Sequence, residues 1–138
     1  MAIEWSSYSF ENKLIEWKNH RDIIKECSVL ERLERTAEFF KNTPYKKRTI
    51  DYYSPDTWPD AWELMNSDLH CLSSISLMMY YTLKIVDVDV ILLLIDDGRE
   101  EYLVPYNEDN NVILNYNTGQ IARLDEIDGI TIIEKFKF

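Results

Sequence analysis

The sequence predicts an α+β fold, on two observations. Apolar residues recur at helical spacing through roughly the first 84 positions, and from there onward short apolar runs alternate with turn residues. Helices first and strands afterwards is the order of a helical layer packed on an antiparallel sheet. With 138 residues, 46% of them hydrophobic, the chain is long enough for one domain with its own core and no disulfide staples. Residues 1–138 read as that single domain, with 1–44 a helical extension and 45–138 the core unit.

Residues 11–26 carry Leu14, Trp17, Ile23 and Ile24 amid charges, which predicts a first helix. Ser28-Val29-Leu30-Glu31 is a capping-box pattern, in which the Ser and Glu side chains each satisfy a backbone N–H. It starts a second helix over 29–41 with Leu30, Leu33, Ala37 and Phe40 on one face, ended by Thr43-Pro44. One helix bent near Ser28 fits the same pattern. Residues 45–57, rich in Tyr and closed by Ser54-Pro55-Asp56, predict a loop or edge strand. Pro59 suits a first helical turn, so a short helix is expected over 59–65. Ser67 or Asp68 then caps a helix over 69–84, whose Leu72, Ile75, Leu77, Met78, Met79, Tyr80 and Tyr81 imply burial on most sides. Val86, Val88 and Val90 alternate with Asp87 and Asp89 and predict a strand running through the apolar 91–95 to a turn at Asp96-Asp97-Gly98. Strands over 101–106 and 111–116 flank Asn107-Glu108-Asp109-Asn110, which is hairpin chemistry, and 121–124 and 130–136 supply two more.

The net charge of −10 is unevenly placed. Residues 1–50 hold ten Lys/Arg against eight Asp/Glu, and residues 51–138 hold five against seventeen. An acidic surface repels the phosphate backbone, so no nucleic-acid partner is expected. Lys46-Lys47-Arg48 is three charges, the size of a solvated turn. The longest apolar run, 90–95, is far too short to span a bilayer, so no membrane partner is expected. Two cysteines and an N-terminus with neither a basic start nor an apolar h-region predict free thiols in a reducing compartment, the cytoplasm. No Gly-rich phosphate loop, zinc spacing or nucleophile-elbow Ser is present, so no cofactor is expected. Asp87, Asp89, Asp96 and Asp97 fit no EF-hand loop and read as strand ends and a turn, so no metal is expected either. Cys27 and Met78-Met79 read as core.

Cys71 stands at the start of the apolar helix. The helix macrodipole favours the thiolate there, which is the nucleophilic form, although a free Cys is more often a small buried hydrophobe. Around it stand Trp58-Pro59, Trp62-Glu63-Leu64, the helix through Tyr80-Tyr81-Thr82-Leu83, and a later hairpin ending in Val112-Ile113-Leu114-Asn115-Tyr116-Asn117. On these pieces, residues 50–125 resemble the short bacterial and phage type of transglutaminase-like, papain-like cysteine protease fold. The resemblance implies a central helix presenting Cys71 to a sheet, a His at the beginning of the first hairpin strand, and Asn115 as the third member that orients it. The His is missing: Glu100-Glu101-Tyr102 stand there, and the chain's two histidines, His20 and His70, lie elsewhere. A carboxylate such as Glu101 is a weak base for a thiol, with a pKa of about 4.3 against about 8.5, and Tyr102 is a poor base at neutral pH. A relay of Cys, His and Asn is therefore not available at the expected positions.

The expectation is a transglutaminase-like domain that has lost its base, not an enzyme, kept as a structural or protein-binding module. By resemblance its setting is a phage or virion assembly component, in the host cytoplasm or the particle. Tyr52, Tyr53, Trp58 and Trp62, with Tyr45, crowd one segment and are the candidate binding residues for a protein partner or self-association. The alternative is an active cysteine hydrolase or transamidase using Cys71, which requires His20 or His70 within reach of the sulfur. A third reading has the acidic face engage a basic partner.

Overall fold

The computed structural model describes residues 2–3, 5–45, 50–68 and 70–138, the Ser6 side chain aside. The Lys46-Lys47-Arg48 cluster lies outside them. Among the described residues, helices α1 (Phe10–Ile24), α2 (Val29–Phe39), α3 (Ala61–Asn66) and α4 (Leu72–Ile85) precede strands β1 (Ile91–Asp96), β2 (Glu101–Asn107), β3 (Val112–Leu114), β4 (Ile121–Arg123) and β5 (Thr131–Phe136). The strands form one antiparallel sheet in the order β4-β3-β2-β1-β5. The α+β class holds.

Caps explain the helix starts. Ser9 accepts the Asn12 N–H before α1, and Ser28 accepts the Glu31 N–H before α2. The chain makes two helices, broken at 25–28, and not one bent helix. Arg32 holds that break, its guanidinium donating to the carbonyls of Lys25, Cys27 and Val86. It thereby ties the ends of α1 and α4 together. Helix α3 starts later than the sequence suggested, because Asp60 and Glu63 form a capping box and leave Pro59 outside. Helix α4 likewise starts at Leu72, with Cys71 as its N-cap residue in extended backbone conformation.

The segment 86–90 corrects another expectation. Asp87 has φ 60°, in the left-handed region, which breaks any strand there. Val86, Val88 and Val90 are buried nonetheless, so their apolar character serves packing and not sheet pairing. At the β1–β2 turn Gly98 takes φ 92°, a conformation that only glycine adopts without strain, and its N–H donates to Asp96 Oδ1 at 2.8 Å.

The run 91–95 is continuous because β1 is buried on both faces. Leu92, Leu94, Leu103, Val112, Leu114 and Phe136 face the helices and join a core with Trp17, Leu33, Phe40, Met78 and Leu83. The first two helices thus share one core with the sheet. Ile91, Leu93, Ile95, Tyr102, Val104 and Ile113 face the other way. The connection from β4 to β5 covers them, through Leu124, Ile127 and Ile130. No described helix is long and apolar enough to cross a membrane.

Candidate functional site

Cys71 is buried at the N-terminus of α4, 3% exposed. Its backbone and that of Ser74 form a capping box: the Cys71 side chain faces the Ser74 backbone N–H, while the Cys71 N–H donates to Ser74 Oγ at 2.9 Å. Three serines organise the first turns of this otherwise apolar helix. Ser73 Oγ accepts the Leu103 N–H of β2 at 3.0 Å. Ser74 serves Cys71. Ser76 Oγ accepts from Asn115 Nδ2 at 2.9 Å, and the same amide nitrogen donates to the Leu72 carbonyl at 2.9 Å. Asn115 follows β3 with φ 67°, which Asn tolerates better than most residues. The sheet is therefore bolted to the Cys71 end of α4 from β2 and from the residue after β3. The serines were legible as letters, but the apolar count of the helix hid their role.

At the position where the resemblance puts a His, two side chains diverge. Successive strand residues point to opposite faces. Glu101 lies on the helix side with Leu103 and accepts the Tyr53 hydroxyl at 2.8 Å. Tyr102 lies on the far side and is buried against Ile95 and Tyr116. Burial, and then the carboxylate of Asp97 to which its hydroxyl is bonded, push the Tyr102 pKa well above the usual phenol range. Tyr102 therefore keeps its proton at neutral pH, while Glu101 is engaged by Tyr53.

Both histidines are engaged elsewhere. His70 is fully buried, with Nε2 3.0 Å from the Ser67 carbonyl and Nδ1 3.2 Å from Ser74 Oγ. A carbonyl only accepts, so Nε2 carries the proton and Nδ1 of the neutral ring accepts from Ser74. That uses the hydroxyl proton which would otherwise go to the Cys71 carbonyl, 3.0 Å away. Trp5 packs edge-on against the imidazole at 5.1 Å, and its Nε1 also donates to the Ser67 carbonyl. Burial lowers the His70 pKa to about 4. His70 forms an isolated parallel bridge with Tyr45, so it precedes the helix and does not belong to it. His20, on α1, packs its ring against α2, with Nε2 3.2 Å from Thr36 Oγ1 and the ring stacked 4.3 Å from Phe39. Its pKa is also about 4, lowered by burial first and, among the described residues, by Arg35 and Arg21.

The aromatic segment is divided. Tyr52 is buried in the core, and Trp58 is half-buried, donating to the Asp51 carbonyl at 2.7 Å and packing edge-on against Phe136. Tyr53 is 58% exposed and Trp62 is 55% exposed. Trp62 leans on the buried Trp17, 5.5 Å between ring centres. Cys27 is half-buried and not core, its sulfur 3.7 Å from the Ile23 carbonyl. Among the described residues, no cluster of three or more His, Cys, Asp or Glu is placed to hold a metal ion.

No protein-family model and no curated protein matches the chain. Solved structures do. The chain is similar to Legionella pneumophila LapG, with a TM-score of 0.78 at 19% identity over 96% of this chain and 80% of that one. The calcium-bound form of LapG gives 0.75 over the same shares, and the EGTA-treated form gives 0.78 over 96% and 77%. The architecture is thus the α+β fold of these structures, among the described residues four helices packed on a five-stranded antiparallel sheet.

Proposed function

We propose that this chain is a non-catalytic transglutaminase-like domain that acts as a structural or protein-binding module. One observation carries the reading. The groups that would make an acyl-transfer relay around Cys71 are spent on the fold: Asn115 donates to Leu72 and Ser76, Glu101 holds Tyr53, and both nitrogens of His70 are taken by Ser67 and Ser74. A nucleophilic thiol needs a neighbouring base, itself oriented by a third group. Here the third group has been turned into a helix clamp. The partner is a protein or a second copy of the chain, and the setting that the resemblance favours is a phage or virion assembly component.

The test is the rate of Cys71 alkylation by iodoacetamide as a function of pH, in a Cys27→Ser background. The expected result is slow labelling that accelerates only with denaturant, as for a thiol sealed in a core. Fast labelling in the native protein below pH 7 would mean a base or cation beside the sulfur. That result would sink the proposal in favour of a cysteine hydrolase or transamidase.

A further inference from the structure

A cavity of about 750 Å³ lies between α1, α2 and the turn at Gly119-Gln120 before β4. It is far from small for a ligand site, since such pockets run from roughly 300 to 1,000 Å³. Its floor is apolar, built from Ile24 and Phe39, with the half-exposed Ile23 at one side. Four carboxylates line it, Glu16, Glu31, Glu34 and Glu38, against the one guanidinium of Arg35. Arg35 leans towards Glu31 at 3.9 Å, and Glu38 towards Lys41 at 3.9 Å. Glu16 and Glu34 make no ion pair with any described residue.

His20 supplies a second and independent observation. The ring is nine-tenths buried and lines the cavity. Thr36 satisfies Nε2, while Nδ1 makes no hydrogen bond to a described residue. Yet among the described residues the only sealed side-chain nitrogen or oxygen without a partner is Arg21 Nε. Nδ1 is therefore without a partner among the described residues, in a ring that lines the cavity. A buried polar atom left facing open space is a place where a ligand atom fits.

We infer that this cavity receives the side chain of an arginine or lysine from a protein partner. The chemistry is complementary at each level. Ile23, Ile24 and Phe39 suit the methylene stem, which such residues bury while their charged head stays polar. The carboxylates of Glu16 and Glu34 supply partners for the cationic head, and His20 lines the same cavity. The inference rests on the binding-module reading only in taking the partner to be a protein.

The test is an NMR titration of the full chain with a blocked Gly-Gly-Arg-Gly-Gly peptide, its lysine counterpart, and its citrulline counterpart, which keeps the shape but not the charge. Saturable shifts are expected at the His20 ring, Phe39 and Gln120, with the citrulline peptide at least about tenfold weaker. Glu16→Gln with Glu34→Gln should weaken the arginine peptide about tenfold at low salt. Asp109→Asn with Glu134→Gln changes the net charge equally but lies outside the cavity, and should leave affinity within about twofold. Equal weakening by both pairs would reduce the effect to bulk charge and overturn the inference. So would citrulline binding as well as arginine, or no saturable shift at millimolar peptide. The Cys71 alkylation profile is measured on the same samples, so an activated thiol would sink the binding-module reading without touching the cavity.

Discussion

The two histidines make a controlled comparison. Both are buried, both are held neutral with pKa values lowered to about 4, and both bond to a hydroxyl side chain. They differ in what the second ring nitrogen meets. At His70 it meets the Ser67 carbonyl, within a junction closed by Trp5 and the serines of α4. At His20 it meets no described residue, in a ring that lines the cavity between α1 and α2. A closed hydrogen-bond inventory marks a ring that belongs to the fold, and an open one marks a ring with room for something else. The region that resembles an enzyme site has the closed inventory, and the helical extension has the open one.

The largest effect that would sharpen or break this contrast is on acid stability. Each ring has an ordinary pKa near 6.5 when unfolded and about 4 when folded. Above pH 6.5 both states are neutral and nothing is lost. Between about 6.5 and 4 the unfolded chain binds protons that the folded chain refuses, so stability falls as pH falls, by on the order of 3 kcal/mol per ring at the acid end. Urea unfolding across that range should show His70→Gln and His20→Gln each flattening the acid limb by a similar amount, since the two shifts are alike. Both rings titrating near 6.5 by NMR in the folded protein would break the contrast.

A smaller effect tests whether the Cys71 end of α4 is a closed structural junction. Ser74 Oγ takes the Cys71 N–H and meets His70 Nδ1, so Ser74→Ala orphans both in a buried place. The expected cost is about 1–3 kcal/mol, read as a lower urea midpoint. An unchanged midpoint would mean that water takes over both bonds and that the junction is open.

How much of this was legible in the sequence divides along the same line. Periodicity exposed the helices and the sheet, because burial of one face leaves a spacing that composition carries. The Ser28 cap was legible because its partner is three residues away. The Val86–Val90 alternation misled, because burial alone explains it and the left-handed Asp87 is invisible to hydropathy. That residues 100–102 are Glu, Glu and Tyr, with no His among them, is plain in the sequence. The employment of Asn115, Ser73 and Ser76 was not, because their partners lie 30 to 43 residues away. The cavity was missed altogether, since its walls come from α1, α2 and the Gly119 turn, and its acids read locally as solvated helix faces.

The finest test concerns Asn115, where two demands coincide. Its backbone sits at φ 67°, which penalises most side chains, and its amide spans the Leu72 carbonyl and Ser76 Oγ. Asn115→Ala loses the amide and keeps the strain, whereas Asn115→Gly loses the amide and relieves the strain. Glycine should therefore be the milder change, by about 1 kcal/mol in urea unfolding. Asn115→Asp keeps the shape but sets a carboxylate against a carbonyl, so it should be less stable than Asn115→Gly at pH 7 and gain relative to it as the carboxyl is protonated. An orienting residue of a catalytic relay would behave otherwise, because Asp fills that role as well as Asn does. Were Asn115→Asp as stable as the parent and its Cys71 faster to alkylate, the clamp would be a disguise for a site still able to work.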